Sequence, residues 1–194
     1  MLFRSTTTEY LYESSRLPVY TVELHPRYYG YVKARFFMHK NIVVYQGDSR
    51  AFLRCLVKDP TLIQKQIFFY LDAHWGEDLP LKEEIQFIFE TFPKAVIMVD
   101  DFRVPGDEEY GYDDYGEGKV LSLEYLNPLN KKLKLAVFFP SKRAELETGA
   151  KRGCVVLAKA PDLIEILGGV TTLVAHSKCH LPDSPIHERT NDNQ

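Results

Sequence analysis

The chain has 194 residues, of which 45% are hydrophobic and 26% charged, a composition typical of a globular domain rather than a disordered chain. Its formal net charge of −3 argues against the broad basic surface of a nucleic-acid-binding protein. No apolar run reaches the roughly 20 residues that span a bilayer, and the three cysteines are too far apart for a disulfide framework or a metal knuckle. These features predict a cytoplasmic protein without nucleic-acid or membrane partners.

Strands and helices alternate along the predicted chain. Apolar, β-rich runs predict strands at Val19–Leu24, Asn41–Asp48, Gln66–Asp72, Ala95–Phe102, Leu133–Pro140 and Gly153–Ala160. Amphipathic patterns predict helices at Leu2–Arg16, Arg27–His39, Ser49–Lys58, Pro80–Phe92 and Lys119–Leu126. The alternation indicates an open, mostly parallel α/β sheet. The dozen polar residues before the last strand are too few for a crossover helix, so we expect that strand to be antiparallel.

Carboxylates follow four consecutive predicted strands. They are Glu23, Asp48, Asp72, Asp100 and Asp101. Because open α/β sheets bind ligands beyond the carboxyl ends of their strands, this pattern predicts a binding site. Glu23 is placed either to accept hydrogen bonds from ribose hydroxyls or to stabilise the start of the next helix. Asp48 either reaches an adenine amino group or caps a helix together with Ser49.

Asp72, Asp100 and Asp101 predict a metal site. Neighbouring parallel strands lie about 4.8 Å apart, so carboxylates at their ends can converge on one cation. Ligand sets made only of oxygen suit Mg²⁺ or another hard divalent cation. The alternative is that Asp101 caps a turn and only one of the acids is functional.

His74 is the candidate general base. It follows Asp72 by two residues, so both side chains point the same way if the chain is extended. An imidazole is suited to take a proton from a substrate hydroxyl near neutral pH. A metal-ligand role and a structural role for His74 stay open.

The segment Phe102–Gly118 is rich in glycine, tyrosine and acids. Its length and composition predict a lid, in which Tyr110, Tyr112 and Tyr115 stack on a ring of the ligand. The alternative is a solvated acidic loop that is packed by its own tyrosines.

The order of these motifs resembles that of class I S-adenosylmethionine-dependent methyltransferases. The strand Val19–Leu24 is followed by Gly47-Asp48-Ser49, Leu71-Asp72-Ala73-His74-Trp75 and Val99-Asp100-Asp101-Phe102. The three aspartates resemble those of the Mg²⁺-dependent O-methyltransferases of macrolide and aminocoumarin sugars. The resemblance implies a Rossmann-like methyltransferase sheet, mostly parallel with an antiparallel C-terminal hairpin. The resemblance covers about Val19–Ala160, within a single predicted domain over residues 1–175. The polar, proline-containing composition of residues 176–194 predicts a tail.

The same resemblance implies roles for individual residues. The metal would be held by Asp72, Asp100 and Asp101, and S-adenosylmethionine would be bound by Glu23, Asp48, Ser49 and Asp72. Relatives carry an acid as the proposed base where this chain has His74. The implied acceptor is a small molecule with vicinal hydroxyls, such as a sugar.

One departure from the family concerns its first strand. The family begins with a strand and a glycine-rich turn, and neither precedes Leu2–Arg16 in this sequence. In the family's sheet that strand lies between the equivalents of Val19–Leu24 and Gln66–Asp72. We therefore expect a sheet without its first strand, through truncation or a different closure. A homodimer would then cover the exposed strand edges.

The leading hypothesis is a metal-assisted O-methyltransferase that uses S-adenosylmethionine. The alternative is a truncated or degenerate methyltransferase-like domain that lacks catalysis and serves in association. An NAD-dependent oxidoreductase is a third interpretation, because Glu23 also suits the ribose of NAD. The absence of a glycine fingerprint and the predicted terminal hairpin weigh against that third interpretation.

Overall fold

The computed structural model describes residues 6–73 and 78–176. Within these ranges the strands are β1 (Val19–Glu23), β2 (Ile42–Gln46), β3 (Ile67–Leu71), β4 (Ala95–Val99), β5 (Ala136–Pro140), β6 (Val155–Ala158) and β7 (Leu173–Ala175). The helices are α1 (Thr6–Ser15), α2 (Pro26–Arg35), α3 (Ser49–Leu56), α4 (Pro60–Ile63), α5 (Leu81–Thr91), α6 (Leu123–Leu133) and α7 (Pro161–Gly168). The chain is therefore a mixed α/β protein, as the sequence predicts. None of the helices within the two ranges is long and apolar enough to cross a membrane.

The strands form two sheets, and the break between them falls between β1 and β3. The smaller sheet is the parallel pair β1–β2. The larger sheet has the order β3-β4-β6-β5-β7, in which β3 and β4 are parallel. β6 is antiparallel to both β4 and β5, which confirms the predicted antiparallel C-terminal hairpin. Within residues 6–73 and 78–176, β1 pairs only with β2 and β3 pairs only with β4, so the outer edge of each, the one away from its partner, has no paired strand.

Helices cover the larger sheet on two sides. Because β3 and β4 alternate in burial, Phe69 and Ile97 point into the main core with α3, α5 and α6. α7 packs on the opposite side through Leu163 and Leu167. In the smaller sheet, Ile42 is buried with residues of α2 in a separate cluster. The two-sided cover explains why the central strands read as continuous apolar runs.

Four elements differ from the sequence prediction. The helices α4 and α7 were not predicted. The predicted helix Lys119–Leu126 instead begins at Leu123, where the Ser122 side chain accepts a hydrogen bond from an N–H group of the first turn, and continues through Pro128. A proline inside a helix removes one backbone hydrogen bond, so the pattern alone does not predict the extension. The short strand β7 pairs antiparallel with β5 and was not predicted, since three residues show no clear period.

Candidate metal site at the ends of β3 and β4

Three of the predicted acids lie together at the carboxyl ends of β3 and β4. The register places Leu71 opposite Val99, so Asp72 and Asp100 leave the two strands side by side. One carboxylate oxygen from each of Asp72, Asp100 and Asp101 lies within 4.8 Å of the others. Asp72 is exposed and the other two are half-buried. The predicted proximity is confirmed, whereas the metal itself stays a prediction.

The charge on this cluster favours a cation. Desolvation by the surrounding protein and the negative charges of Asp100 and Asp101 raise the pKa of Asp72 to about 7. Since Asp72 is exposed, its loss of hydration is only partial, and the mutual repulsion of the carboxylates is the contribution that a bound cation would relieve. A solvent-accessible set of carboxylate oxygens fits a hard divalent cation such as Mg²⁺.

Tyr70 positions Asp100. Its hydroxyl group donates a hydrogen bond to the Oδ2 atom of Asp100. Desolvation and the neighbouring carboxylate raise the pKa of Tyr70 above its usual range, so the phenol remains a donor at neutral pH. A role for Tyr70 was not predicted from the sequence. The sequence does contain a signal for it. Side chains two residues apart in an extended chain point to the same face, so Tyr70 is expected on the same side as Asp72.

Arg152 reaches the cluster from the loop before β6. Its Nε atom donates to Asp101 Oδ1 and a terminal nitrogen donates to Asp113 Oδ1. The Tyr115 hydroxyl donates to the other oxygen of Asp113 at 2.6 Å. Asp101 has a left-handed backbone conformation with φ of 53°, and its carbonyl accepts the N–H of Asp113 at 2.9 Å. Asp101 therefore serves the turn and the acidic cluster together.

The tyrosine-rich segment is fixed to the protein at Tyr110. This residue is 3% exposed, and its hydroxyl donates to the carbonyl of Lys142 at 3.0 Å. Hydrogen bonds of Gly111 with Lys151 and with Gly153 tie the same stretch to the loop before β6. The prediction that Tyr110 stacks on a ligand is wrong, because its ring is buried in the core. The alternative, a loop packed by its own tyrosines, describes this part of the segment.

Glu23 lies at the end of β1 and takes part in a local turn. Its Oε1 atom accepts the backbone N–H of His25 at 3.0 Å, and His25 is the N-cap of α2. This contact matches the helix-start interpretation of Glu23. The proposed bonds to ribose hydroxyls stay a prediction.

Asp48 is the N-cap of α3. Its Oδ1 atom accepts the N–H groups of Arg50 at 2.9 Å and Ala51 at 3.2 Å, and its Oδ2 atom accepts a guanidinium nitrogen of Arg50 at 2.8 Å. The hydrogen bond from the Arg50 side chain is the main cause of the lowered pKa of Asp48. Ser49 is the first residue of the helix. The geometry is that of a helix cap, and a role of Asp48 and Ser49 in binding adenine stays a prediction.

Several sequence predictions fall outside the described parts of the chain. They concern His74, Trp75 and the tail beyond His176. The general-base role of His74 therefore stays a prediction. No protein-family model matches the chain, and no curated protein is significantly similar to it.

Proposed function

We propose that the chain is an S-adenosylmethionine-dependent O-methyltransferase that uses a divalent cation and acts on a hydroxyl group of a sugar or similar small molecule. The observation that carries this proposal is the convergence of Asp72, Asp100 and Asp101 within 4.8 Å at the ends of adjacent parallel strands. Open α/β sheets bind their ligands at this edge.

The residues around the cluster have separate tasks in this proposal. Asp72, Asp100 and Asp101 would hold the cation. A hard divalent cation lowers the pKa of a hydroxyl group that it binds and orients that group. Tyr70 fixes the carboxylate of Asp100 through its hydrogen bond, and His74 would accept the proton of the acceptor hydroxyl.

The arrangement of the strands supports a Rossmann-like methyltransferase sheet. β6 runs antiparallel between β4 and β5, and β7 extends the same sheet. The break between β1 and β3 falls where the resemblance places the family's first strand. The antiparallel β6 also weighs against an NAD-dependent oxidoreductase. A cytoplasmic location, which the sequence predicts, is part of this proposal.

A second candidate function is association without catalysis. The outer edges of β1 and β3 have no strand partner among the described residues, and unpaired edges favour pairing with another chain. Asp48 uses both carboxylate oxygens within the protein, so it has less capacity for a cofactor. A methyltransferase-like domain of this kind would bind no S-adenosylmethionine and would form a dimer.

Titration calorimetry distinguishes the two functions. The full chain is titrated with S-adenosylmethionine in the presence and absence of Mg²⁺, and Asp100→Asn is compared with Asp162→Asn, which changes an exposed acid of α7. The enzyme proposal expects micromolar cofactor binding by the parent chain, and Mg²⁺ binding that Asp100→Asn abolishes and Asp162→Asn preserves. A folded chain that binds no cofactor, or Mg²⁺ binding by Asp100→Asn equal to that of the parent chain, would contradict it.

A further inference from the structure

Positive charge is concentrated in one part of this acidic chain. The segment between Glu23 and Asp48 contains no aspartate or glutamate. It carries the cations Arg27, Lys33, Arg35 and Lys40. The segment includes all of α2, the turn after it and β2. In a chain whose net charge is −3, this segment stands out as a local basic surface.

The same segment exposes large apolar side chains. Phe37 and Met38, in the turn after α2, are each 81% exposed, and Tyr31 on α2 is 53% exposed. Val32 and Phe36 are buried on the inner side of the helix. The inner side therefore accounts for the packing of α2, and the outer side presents apolar groups that the fold does not use. Two neighbouring apolar residues exposed to this extent indicate an interaction surface.

The cations of this surface are available to a partner. Among residues 6–73 and 78–176, no acid forms a salt bridge with Arg27, Lys33 or Lys40. The Lys33 ammonium lies 5.4 Å from the centre of the Tyr29 ring. Arg35 differs, because it pairs with Glu9 of α1. The outer side of α2 and its turn thus carry unneutralised positive charge next to exposed apolar groups.

We propose that α2 and its following turn dock on the surface of an anionic lipid bilayer. Phe37 and Met38 enter the headgroup region, while Lys33 and Lys40, near the same end of α2, face the lipid phosphates. A combination of protruding apolar side chains and lysines without acids fits the boundary between headgroups and acyl chains. The sequence prediction of no membrane partner depends on the lack of an apolar run long enough to span a bilayer. Docking on the bilayer surface does not require such a run.

The turn after α2 and the carboxyl ends of the strands lie at opposite ends of the smaller sheet. The turn directly precedes Ile42, the first residue of β2. Glu23 and Gln46 are the last residues of β1 and β2 and pair with each other at the carboxyl ends. Docking through Phe37 and Met38 therefore leaves the carboxyl ends of the strands open to solvent.

Vesicle sedimentation tests the proposal. The full chain is mixed with vesicles of phosphatidylcholine alone or of phosphatidylcholine with phosphatidylglycerol, at low and at high salt. We expect binding to the anionic vesicles that weakens with salt. Two double variants, Phe37→Ser with Met38→Ser and Lys33→Gln with Lys40→Gln, should each weaken that binding roughly tenfold or more.

Matched variants separate the proposed contact from general effects. Leu146→Ser changes an apolar residue that is 59% exposed elsewhere, and Lys33→Arg with Lys40→Arg keeps the charge; both should bind as the parent chain does. No binding to anionic vesicles, or equal binding to both kinds, overturns the proposal. It is also overturned if the chain forms a dimer in gel filtration that Phe37→Ser with Met38→Ser dissociates, because the surface would then join two copies. Circular dichroism of each variant establishes that it is folded.

Discussion

The Nε atom of Arg152 donates a hydrogen bond to the Oδ1 atom of Asp101, which lies 51 residues earlier in the chain. Because a second nitrogen of the same guanidinium binds Asp113, Arg152 stays beside the acidic cluster. A divalent cation bound to Asp72, Asp100 and Asp101 would share this surface with a fixed positive charge. The contact therefore offsets part of the repulsion between the acids and opposes the binding of a divalent cation to the cluster.

Removing the charge of Arg152 should strengthen metal binding. We expect Arg152→Met to bind Mg²⁺ or Mn²⁺ about fivefold more tightly, the upper range for an ion pair of this exposure. Isothermal titration of the metal alone measures the change. Arg143→Met is the matched control, since Arg143 lies in the same connection and pairs with Glu145 instead. Unchanged or weaker metal binding by Arg152→Met would show that Arg152 mainly holds Asp101 in place.

The hydrogen bond from Tyr70 to Asp100 should contribute to stability. Tyr70→Phe removes the hydroxyl from a half-buried position and is expected to lower the free energy of unfolding by about 1 kcal/mol. Urea unfolding without metal measures the loss. Tyr20→Phe is the control, because Tyr20 is 41% exposed and its hydroxyl has no hydrogen-bond partner in the described part of the chain. Equal losses in the two variants would argue against the contribution of this bond.

The acidic cluster could be predicted from sequence because it depends on local rules. Continuous apolar runs locate β3 and β4, and the residues that follow parallel neighbours meet at one edge. Asp72 and Asp100 are brought together in this way. Arg152 and Asp113 could not be predicted, since their contacts depend on how two distant loops pack against Asp101. Loops lack the regular spacing of apolar residues from which helices and strands are predicted, so their sequence does not indicate such contacts.

The burial of side chains within loops also could not be predicted from the sequence. The composition of Phe102–Gly118 is equally compatible with a lid and with a packed loop, and only the tertiary structure shows that Tyr110 is buried. The choice between a cap and a ligand-binding role for Asp48 has the same origin. Both roles need a carboxylate at the end of a strand, and the contacts with Arg50 are visible only in the structure.

Glu84 should make the stability of the protein depend on pH. The side chain is 1% exposed on α5, and burial, as the main cause, raises its pKa from 4.5 to about 7. Between these two values the folded chain binds more protons than the unfolded chain. The free energy of unfolding therefore falls as the pH rises from about 4.5 to about 7 and changes little above that range.

Comparison with Glu84→Gln isolates this effect. The variant has no titrating group at the site, so the stability of the parent chain should fall relative to it by roughly 3 kcal/mol at most across the window. Urea unfolding at pH 5 and pH 8 measures the difference. Glu83→Gln serves as the control, because Glu83 is an exposed neighbour on the same turn of α5. A constant difference between the parent chain and Glu84→Gln at both pH values would exclude this role for Glu84.

Gly153 should be intolerant of any side chain. A Cβ atom at this position would lie 2.2 Å from the carbonyl oxygen of Phe102 and 2.9 Å from the Cγ2 atom of Val104. The Gly153 carbonyl also accepts the N–H of Phe102 at 2.9 Å, so the close approach holds the chain just after Asp101. Gly153→Ala must push these backbones apart, and we expect it to lower the free energy of unfolding by roughly 2–3 kcal/mol. Gly149→Ala, where the new Cβ meets no atom within 4 Å, should unfold at about the same urea concentration as the parent chain. Equal urea midpoints for the two alanine variants would show that the loop yields without cost.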